Sequence, residues 1–459
     1  MKNITKEVLG GLFCVVVLIG LVLVFSTGAA AQAGDNAVYN SSGNCNSQSQ
    51  CAASPAFFDA SVFVGSVTSP TVCSVLNYVL NTSNHILTST GAVIDARGVI
   101  LAGASPTCTS AYPSPWSGIS SPPPSTILLP AGVITIPSTW VLPSNTHLIG
   151  EGDNTSAAIN TTLRVSSGTF TAPGPIIQFG PAAGASGISL EKLTLDGQGM
   201  SVNGIVNEYA GDDSYVDHVS LYQIRGTGLL VEGSAANSGP YSNILFDTTS
   251  NYPGTSSTVC AQIYDVSGGT RGIHGLTCHA YTNDPPAAVL LDSSNNTIAD
   301  VTIIGFYDGI RVGANGMAKN NVLMNIAGDT VPTGIGSPIN TIHIENGSTY
   351  AISDLSIMGT SKGSSSTYTV EDDLTSTHLA DTYVAMYAIG NKGSGGYYSR
   401  FTTTPNAASW VVGAGAPTGS CAQGSLYSCI GSSNGCGSTY YALWACAYNG
   451  GTLGWQGVE

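Results

Sequence analysis

One short alternating strand recurs seven times in the middle of the chain: Leu193-Thr194-Leu195, Val219-Ser220-Leu221, Ile244-Leu245-Phe246, Leu276-Thr277-Cys278, Val301-Thr302-Ile303, Met324-Asn325-Ile326 and Leu355-Ser356-Ile357. The first residues of successive triplets are 26, 25, 32, 25, 23 and 31 positions apart. A second strand follows in each unit: Ile205-Val206-Asn207, Leu229-Leu230-Val231, Ile263-Tyr264, Leu290-Leu291, Ile310-Arg311-Val312, Ile342-His343-Ile344 and Tyr368-Thr369-Val370. Gly, Asn and Ser fill the connections, as turn geometry favours.

Units of two or three short strands, with no helical period between them, leave few architectures. A propeller blade needs about 40 residues and four strands, which is longer than any of these units. A β-sandwich does not explain why strands recur at the same place in every unit. A right-handed parallel β-helix does, because each coil sets its inward residues on those of the coil below. The sequence therefore predicts an all-β fold with a parallel β-helix over residues 85–415.

Charge and composition exclude several classes of protein. The chain has 459 residues, with 12 Lys and Arg against 27 Asp and Glu, so its formal net charge is −15. Such a balance offers no basic stripe for phosphates, which argues against nucleic acid as a partner. A long coiled coil needs far more charged residues than 8%. Disorder is disfavoured because 42% of the residues are hydrophobic and spread along the chain.

The N-terminus has the pattern of a secretory signal peptide. Lys2 and Lys6 precede an apolar run at residues 8–25, and Ala31-Gln32-Ala33 provides small residues for cleavage after Ala33. A retained anchor is the alternative, since 18 apolar residues approach the span of a bilayer core. We expect residues 1–33 to be removed, residues 34–84 to cap the helix, and the protein to be a monomer, secreted or held at the cell surface.

The cysteines support export to an oxidising compartment. Eleven are present, and ten remain once Cys14 leaves with the signal peptide. No Cys-x-x-Cys spacing favours zinc, so we expect disulfides, with the C-terminal four nested in a small module at residues 416–459. This module is either a carbohydrate-binding or attachment piece or a plain cap. The expected pairs are Cys45–Cys51, Cys73–Cys108, Cys260–Cys278, Cys421–Cys446 and Cys429–Cys436.

Three N-terminal segments resemble the first coils of the pectate-lyase superfamily. They are GAVIDARG at 91–98, STILLPAGVITI at 125–136 and LPSNTHLIGEG at 142–152. The resemblance covers about residues 85–400. It implies a right-handed parallel β-helix that acts on a polysaccharide, most often an acidic one. Some viral tailspikes and surface adhesins share this fold without the same chemistry, so the resemblance indicates the fold more strongly than an activity.

An acidic column follows the second strands. Neighbouring coils would bring these side chains about 4.8 Å apart. Stacked carboxylates can bind calcium or raise one another's pKa, which keeps a general acid protonated. The alternative is that they only cap turns. The predicted column comprises Glu208, Glu232, Val266, Asp292, Gly313, Glu345 and Glu371.

A second outward column predicts a substrate-binding surface. Tyr264, Arg311 and His343 fall on or near one face of the second strands. A guanidinium pairs with sugar carboxylates and a tyrosine ring packs on a sugar. We assign Tyr264 and His343 to substrate binding, although a lone Arg or His on a solvated face commonly has no function.

The segment Tyr307-Asp308-Gly309-Ile310-Arg311 is the sharpest local signal. In polygalacturonase-like members of the superfamily a catalytic Asp precedes Gly on this strand, and the matching residue is Asp308. The sequence departs from that pattern, because Ala287 and Asn340 stand where neighbouring coils would supply further Asp residues. Hydrolysis would need an acid and a base about 6.5–9.5 Å apart, which Asp308 with Asp292 or Glu345 could provide.

Elimination is the second enzymatic hypothesis. In pectate-lyase relatives, carboxylates hold calcium against the substrate and an Arg removes the proton. Asp292, Asp308 and Glu345 around Arg311 would suit those roles, since calcium prefers hard oxygen ligands. We predict an enzyme that cleaves an acidic or pectin-like polysaccharide, with calcium as a cofactor if it is a lyase. The alternative is a non-catalytic surface or adhesion protein that binds glycans.

Overall fold

The computed structural model describes residues 56–345, apart from residues 85, 88–90, 154–158, 282–284 and 329–339, and separate strand segments between residues 352 and 458. The strands are β1 Ala56–Asp59, β2 Ala92–Asp95, β3 Ser125–Leu128, β4 Gly132–Ile136, β5 Trp140–Leu142, β6 Thr146–Ile149, β7 Thr161–Val165, β8 Pro175–Phe179, β9 Ser189–Asp196, β10 Asn203–Asn207, β11 Tyr215–Tyr222, β12 Thr227–Glu232, β13 Tyr241–Asp247, β14 Val259–Tyr264, β15 Ile273–His274, β16 Thr277–His279, β17 Ala287–Asp292, β18 Thr297–Ile304, β19 Asp308–Val312, β20 Ala318–Lys319, β21 Val322–Gly328, β22 Asn340–Ile344, β23 Ile352–Ser353, β24 Ser356–Met358, β25 Tyr368–Asp372, β26 Trp410–Gly413, β27 Leu426–Cys429, β28 Leu443–Asn449 and β29 Thr452–Val458. The one α-helix of the described residues, α1, spans Val72–Leu80, and 3₁₀ turns span Ala60–Ser66 and Thr82–Asn84.

The strands form two long parallel ladders. One sheet has 14 strands and runs from β1 to β24, while a second has nine and runs from β5 to β25. Neighbours in the second sheet are one coil apart in the chain, as in β12–β14, β14–β17, β17–β19 and β19–β22. This topology confirms the predicted parallel β-helix, and with it the fold that the superfamily resemblance implies.

Each coil has three sides because its longest strand bends once. The first half of β9 pairs with β6 and the second half with β7. Between the halves, Lys192 has a φ of +53°. The following coils place His218, Asn243, Asp300 and Asn325 in the same left-handed conformation. Asn tolerates this conformation better than most residues, and Asn243 and Asn325 also donate to carboxylates of neighbouring coils, Asp217 and Asp300.

Inward residues of successive coils stack into the core. Leu193 lies opposite Val219, Val219 opposite Ile244, and Val301 opposite Ile326, and all five are at most 1% exposed. These columns are buried only because another coil lies above and below them. At the N-terminal end, α1 begins at a capping box formed by Thr71 and Ser74.

Two of the expected disulfides are confirmed, Cys73–Cys108 and Cys260–Cys278. The Cys45–Cys51 pair lies outside the described residues. In the C-terminal region Cys446 is disulfide-bonded, and the nested pairing involves residues outside the described part. There, β26 pairs parallel with β27, and β27, β28 and β29 form an antiparallel meander. The predicted domain boundaries remain predictions.

Candidate functional site

The second sheet places Asp308 on the outer side of the coil through a local bend in β19. A Cβ atom on Gly309 would lie 2.3 Å from the carbonyl oxygen of Thr341 and 3.0 Å from Cδ1 of the core residue Ile303, so Gly309 faces the interior. Ile310 is also fully buried. With two consecutive residues facing inward, the residues on either side of them, Asp308 and Arg311, lie on the outer side.

Asp308, Arg311, Asn340, His343 and Glu345 form a polar cluster on adjacent coils, called here the Asp308 cluster. Oδ2 of Asp308 accepts from Nε and Nη2 of Arg311 at 3.0 and 2.5 Å, and lies 2.9 Å from Nδ1 of His343. Oδ1 of Asp308 accepts from Nδ2 of Asn340 at 3.0 Å. Nε of Arg311 lies 3.2 Å from Oε1 of Glu345. The register explains the contacts, since Asp308 lies opposite Asn340 and Arg311 opposite His343.

The Asp308 carboxylate is held in its charged form. Its side chain is 1% exposed, and this burial, the largest single effect, raises its pKa. Hydrogen bonds and charge from His343 and Arg311 outweigh burial and lower the pKa below the ordinary value of an aspartate. Asp308 therefore acts as an anchor for an imidazole and a guanidinium, and is a poor general acid.

His343 and Arg311 present the reachable part of the cluster. Their side chains are 14% and 23% exposed. A guanidinium has five N–H donors. Nε and Nη2 of Arg311 contact carboxylates, whereas the contacts of Arg311 among the described residues do not involve its Nη1 group. If Asp308 accepts the proton on Nδ1 of His343, Nε2 carries the lone pair. The cluster thus offers an oriented base beside a cation.

Asn340 is the member that the sequence analysis did not assign to the site. In the sequence pattern Asn340 stands where an Asp was expected. In the structure Asn340 is buried and donates a hydrogen bond to Asp308. The spacing could have identified Asn340 as a neighbour of Asp308, since Asn340 lies at the start of the second strand of the next coil.

Asp292 is not brought into the Asp308 cluster. Its carboxylate accepts from the backbone N–H and from Nδ2 of Asn315, at 2.8 and 3.1 Å. It is 1% exposed, beneath the turn that contains Gly316. Burial raises its pKa, against the backbone hydrogen bonds from Asn315 and Gly316, which lower it. This environment matches the turn-capping alternative for Asp292.

The predicted acidic column is wrong in two places. Tyr264, rather than Val266, lies opposite Glu232 and Asp292, because the strand aligns from Ala261, two residues before the apolar pair Ile263-Tyr264. Glu371 pairs with His343, so it belongs to the outward column of Arg311 and not to that of Glu345. Tyr264 itself lies two coils before Arg311, and Gln262 occupies the column position that leads to Leu290 and Arg311.

Glu208 and Glu232 do form a close pair. They follow Asn207 and Val231, which lie opposite each other on adjacent strands. Burial raises the pKa of Glu232, and the neighbouring Glu208 raises it further. The predicted rise in pKa of stacked carboxylates therefore occurs in the earlier coils, away from the Asp308 cluster.

The donor set around Asp308 does not fit calcium. Three side chains already donate to the two Asp308 oxygens, and the Arg311 cation lies between Asp308 and Glu345. Asp292, the third expected ligand, is engaged with Asn315. Among the residues that the structure describes, no group of three or more His, Cys, Asp or Glu side chains is arranged to hold a metal ion.

Comparisons with known proteins gave structural likeness alone. No protein-family model matches the chain, and no curated protein matches it. The A-module of a mannuronan C-5 epimerase from Azotobacter vinelandii aligns with a TM-score of 0.31 and 14% identity, over 59% of this chain and 91% of that one. An endo-xylogalacturonan hydrolase from Aspergillus tubingensis aligns with a TM-score of 0.34 and 12% identity, over 58% and 82%. A Geobacillus virus E2 protein aligns with a TM-score of 0.33 and 12% identity, over 88% and 76%.

Proposed function

We propose that the Asp308 cluster binds an acidic polysaccharide and cleaves it by elimination, with His343 as the base. The observation that carries this proposal is the 2.9 Å contact between Nδ1 of His343 and the buried Asp308 carboxylate, beside the Arg311 cation. A carboxylate that accepts the Nδ1 proton fixes the imidazole tautomer whose basic lone pair is on Nε2.

The reaction follows from those roles. Nε2 of His343 removes the proton from the carbon that carries the uronate carboxylate. The electron pair of that C–H bond forms a carbon–carbon double bond as the neighbouring bond to the glycosidic oxygen breaks, and the leaving oxygen takes a proton from water. Negative charge grows on the substrate carboxylate in the transition state, where the Nη1 group of Arg311 can donate to it.

Elimination suits the cluster better than hydrolysis. Hydrolysis needs one protonated carboxyl group and one charged carboxylate. Asp308 has a lowered pKa, because its hydrogen bonds from His343 and Arg311 outweigh its burial. Glu345 lies against Arg311, and Asp292 is covered by its turn. Asp308 is therefore unsuited to be the protonated group, and Asp292 is not accessible to a substrate.

Non-catalytic glycan binding is the second candidate function. The observation that favours it is that every Asp308 oxygen already receives a proton donor from the protein. Such a network stabilises the contact between adjacent coils without any chemistry. In that case Arg311 and His343 would hold a sugar carboxylate and leave it unchanged.

We place the protein outside the cytoplasm. Disulfides such as Cys73–Cys108 and Cys260–Cys278 persist in oxidising compartments. No helix within the described residues is long and apolar enough to cross a membrane. We also propose that the signal peptide is removed, that the protein is a monomer, and that its partner is a polysaccharide rather than nucleic acid.

The test is depolymerisation of polygalacturonate, pectin, rhamnogalacturonan and alginate, followed by ultraviolet absorbance and by reducing ends. We expect new absorbance from unsaturated uronates, retained when EDTA is added and lost in His343→Ala. His274→Ala, which changes a half-buried histidine of the first sheet, is the matched control. Reducing ends without absorbance would overturn elimination in favour of hydrolysis. Binding without any cleavage would establish the non-catalytic function.

A further inference from the structure

A second polar column lies on the 14-stranded sheet, on the half-strands that follow the bend. Tyr222 of β11 pairs with Asp196 on one side and Asp247 on the other. Asp247 in turn pairs with His279, and Asp196 with Arg164. Five consecutive strands thus present Arg164, Asp196, Tyr222, Asp247 and His279, a span of about 19 Å at about 4.8 Å per strand.

The column is organised as two close pairs of a basic and an acidic side chain, one on each side of a tyrosine. Nε of Arg164 lies 2.8 Å from Oδ2 of Asp196. Nδ1 of His279 lies 3.0 Å from Oδ1 of Asp247, and both of these side chains are a little over a quarter exposed. Two carboxylates stand against one permanent cation, Arg164, so the column has no excess positive charge to neutralise an anionic ligand.

Apolar groups accompany the second pair. The ring of Tyr281 lies 4.7 Å from that of His279, centroid to centroid, at an angle of 47°. Leu245, two residues before Asp247 on the same strand, is 36% exposed, which is unusual in a chain whose large aliphatic residues are mostly core. We call Tyr222, Leu245, Asp247, His279 and Tyr281 the Tyr222 patch.

The edge of the Tyr222 patch is bounded by the chain itself. The hydroxyl of Ser220, two residues before Tyr222 on the same strand, donates to the backbone carbonyl of Asp153, so the segment ending at Asp153 crosses the sheet there. On the following loops, the guanidinium of Arg225 lies 5.9 Å from the ring centre of Tyr252. Aromatic rings therefore continue from the sheet onto these loops.

We infer that the Tyr222 patch binds a neutral glycan. Tyrosine rings and an exposed leucine match the C–H faces of a sugar, and a ring with a polar edge suits an interface that is partly wet. The Asp247 carboxylate and the His279 imidazole match its hydroxyl groups, as acceptor and donor. The absence of excess positive charge in the column favours a neutral sugar over a uronate. This site shares no residue with the Asp308 cluster and does not depend on its chemistry.

Affinity electrophoresis of the full chain in gels that contain one of four neutral polysaccharides (galactan, arabinan, xyloglucan or mannan), or polygalacturonate for comparison, tests this inference. We expect retardation by at least one of the four, weakened about tenfold in Tyr222→Ala and in His279→Ala, as when a central aromatic contact is removed. Tyr222→Phe, which keeps the ring, should retain most of the binding. Tyr112→Ala, at an exposed tyrosine in an N-terminal loop, should bind like the unaltered protein.

Three results would overturn the inference. One is the absence of retardation by all four neutral polysaccharides. Another is equal retardation of the unaltered protein and Tyr222→Ala, with both shown to be folded by circular dichroism. The third is retardation only by polygalacturonate, abolished by His343→Ala, which would assign all binding to the Asp308 cluster and leave the proposed elimination standing.

Discussion

Gly309 links the packing of the coils to the geometry of the Asp308 cluster, and Gly309→Ala tests that link. The added Cβ would lie 2.3 Å from the Thr341 carbonyl oxygen, a backbone atom of the next coil. Ordinary contact requires about 3.4 Å, so β19 and β22 must separate locally by about 1 Å. Overpacking of this kind costs about 1–3 kcal/mol. β19 carries Asp308 and Arg311, and β22 carries Asn340 and His343, so separating the two strands moves these pairs of side chains apart.

Gly309→Ala should therefore lose activity while the protein remains folded. A displacement of about 1 Å in a catalytic arrangement costs about 100-fold in rate, whereas we expect about 2 kcal/mol of destabilisation. The assay is kcat on the polyuronate that the unaltered protein cleaves, beside thermal unfolding. Gly168→Ala is the control, because a Cβ there meets nothing within 4 Å. Activity within threefold of the unaltered protein would refute the idea that the spacing of these coils positions the base.

Three further predictions test the charge, the pH response and the cross-links. Asp308→Asn should destabilise the protein by about 3 kcal/mol near pH 7, as expected for breaking a buried pair. Hydrogen bonds lower the pKa of Asp308 despite its burial. Its contribution to the free energy of unfolding is therefore present above the unfolded pKa of about 3.9 and is lost as pH falls through the pKa of the folded state. The midpoints of thermal unfolding of the two proteins should therefore converge in acid. With a net charge of −15, KM for a polyuronate should fall as salt rises from about 10 to 150 mM, since screening reduces repulsion; an unchanged or rising KM would contradict this. Replacing Cys260 and Cys278 together by Ala should cost about 3 kcal/mol for a loop of 18 residues, measured by denaturant unfolding, and no change in midpoint would count against it.

The fold could be predicted from the sequence because the same pattern of strands recurs in successive coils. Leu193, Val219 and Ile244 were identified as equivalent from spacing alone, and they stack in the core as expected. The error of Val266 for Tyr264 has a physical origin. The inward position opposite Leu229 is held by the small residue Ala261, so an apolar pattern places the strand two residues late, beginning at Ile263.

The site was predicted in its parts but not in its contacts. Asp308, Arg311, His343 and Glu345 were all named from the sequence, and they lie together. Asp292 was grouped with them because it ends a strand, but whether a strand-ending carboxylate faces a ligand or caps a turn depends on the next loop. Asn315 supplies the donors that decide this, 23 residues further along the chain. No spacing rule within one coil contains that information.

In a solenoid the backbone repeats, so a functional position is recognised by the side chain that interrupts its column. The outward column of the second sheet runs Val206, Leu230, Gln262 and Leu290 before it changes to Arg311 and His343. Packing requires nothing charged there, since the preceding coils stack with aliphatic and amide side chains in the same place. A guanidinium and an imidazole on adjacent coils, both drawn to one buried carboxylate, are therefore better explained by a ligand than by the needs of the fold.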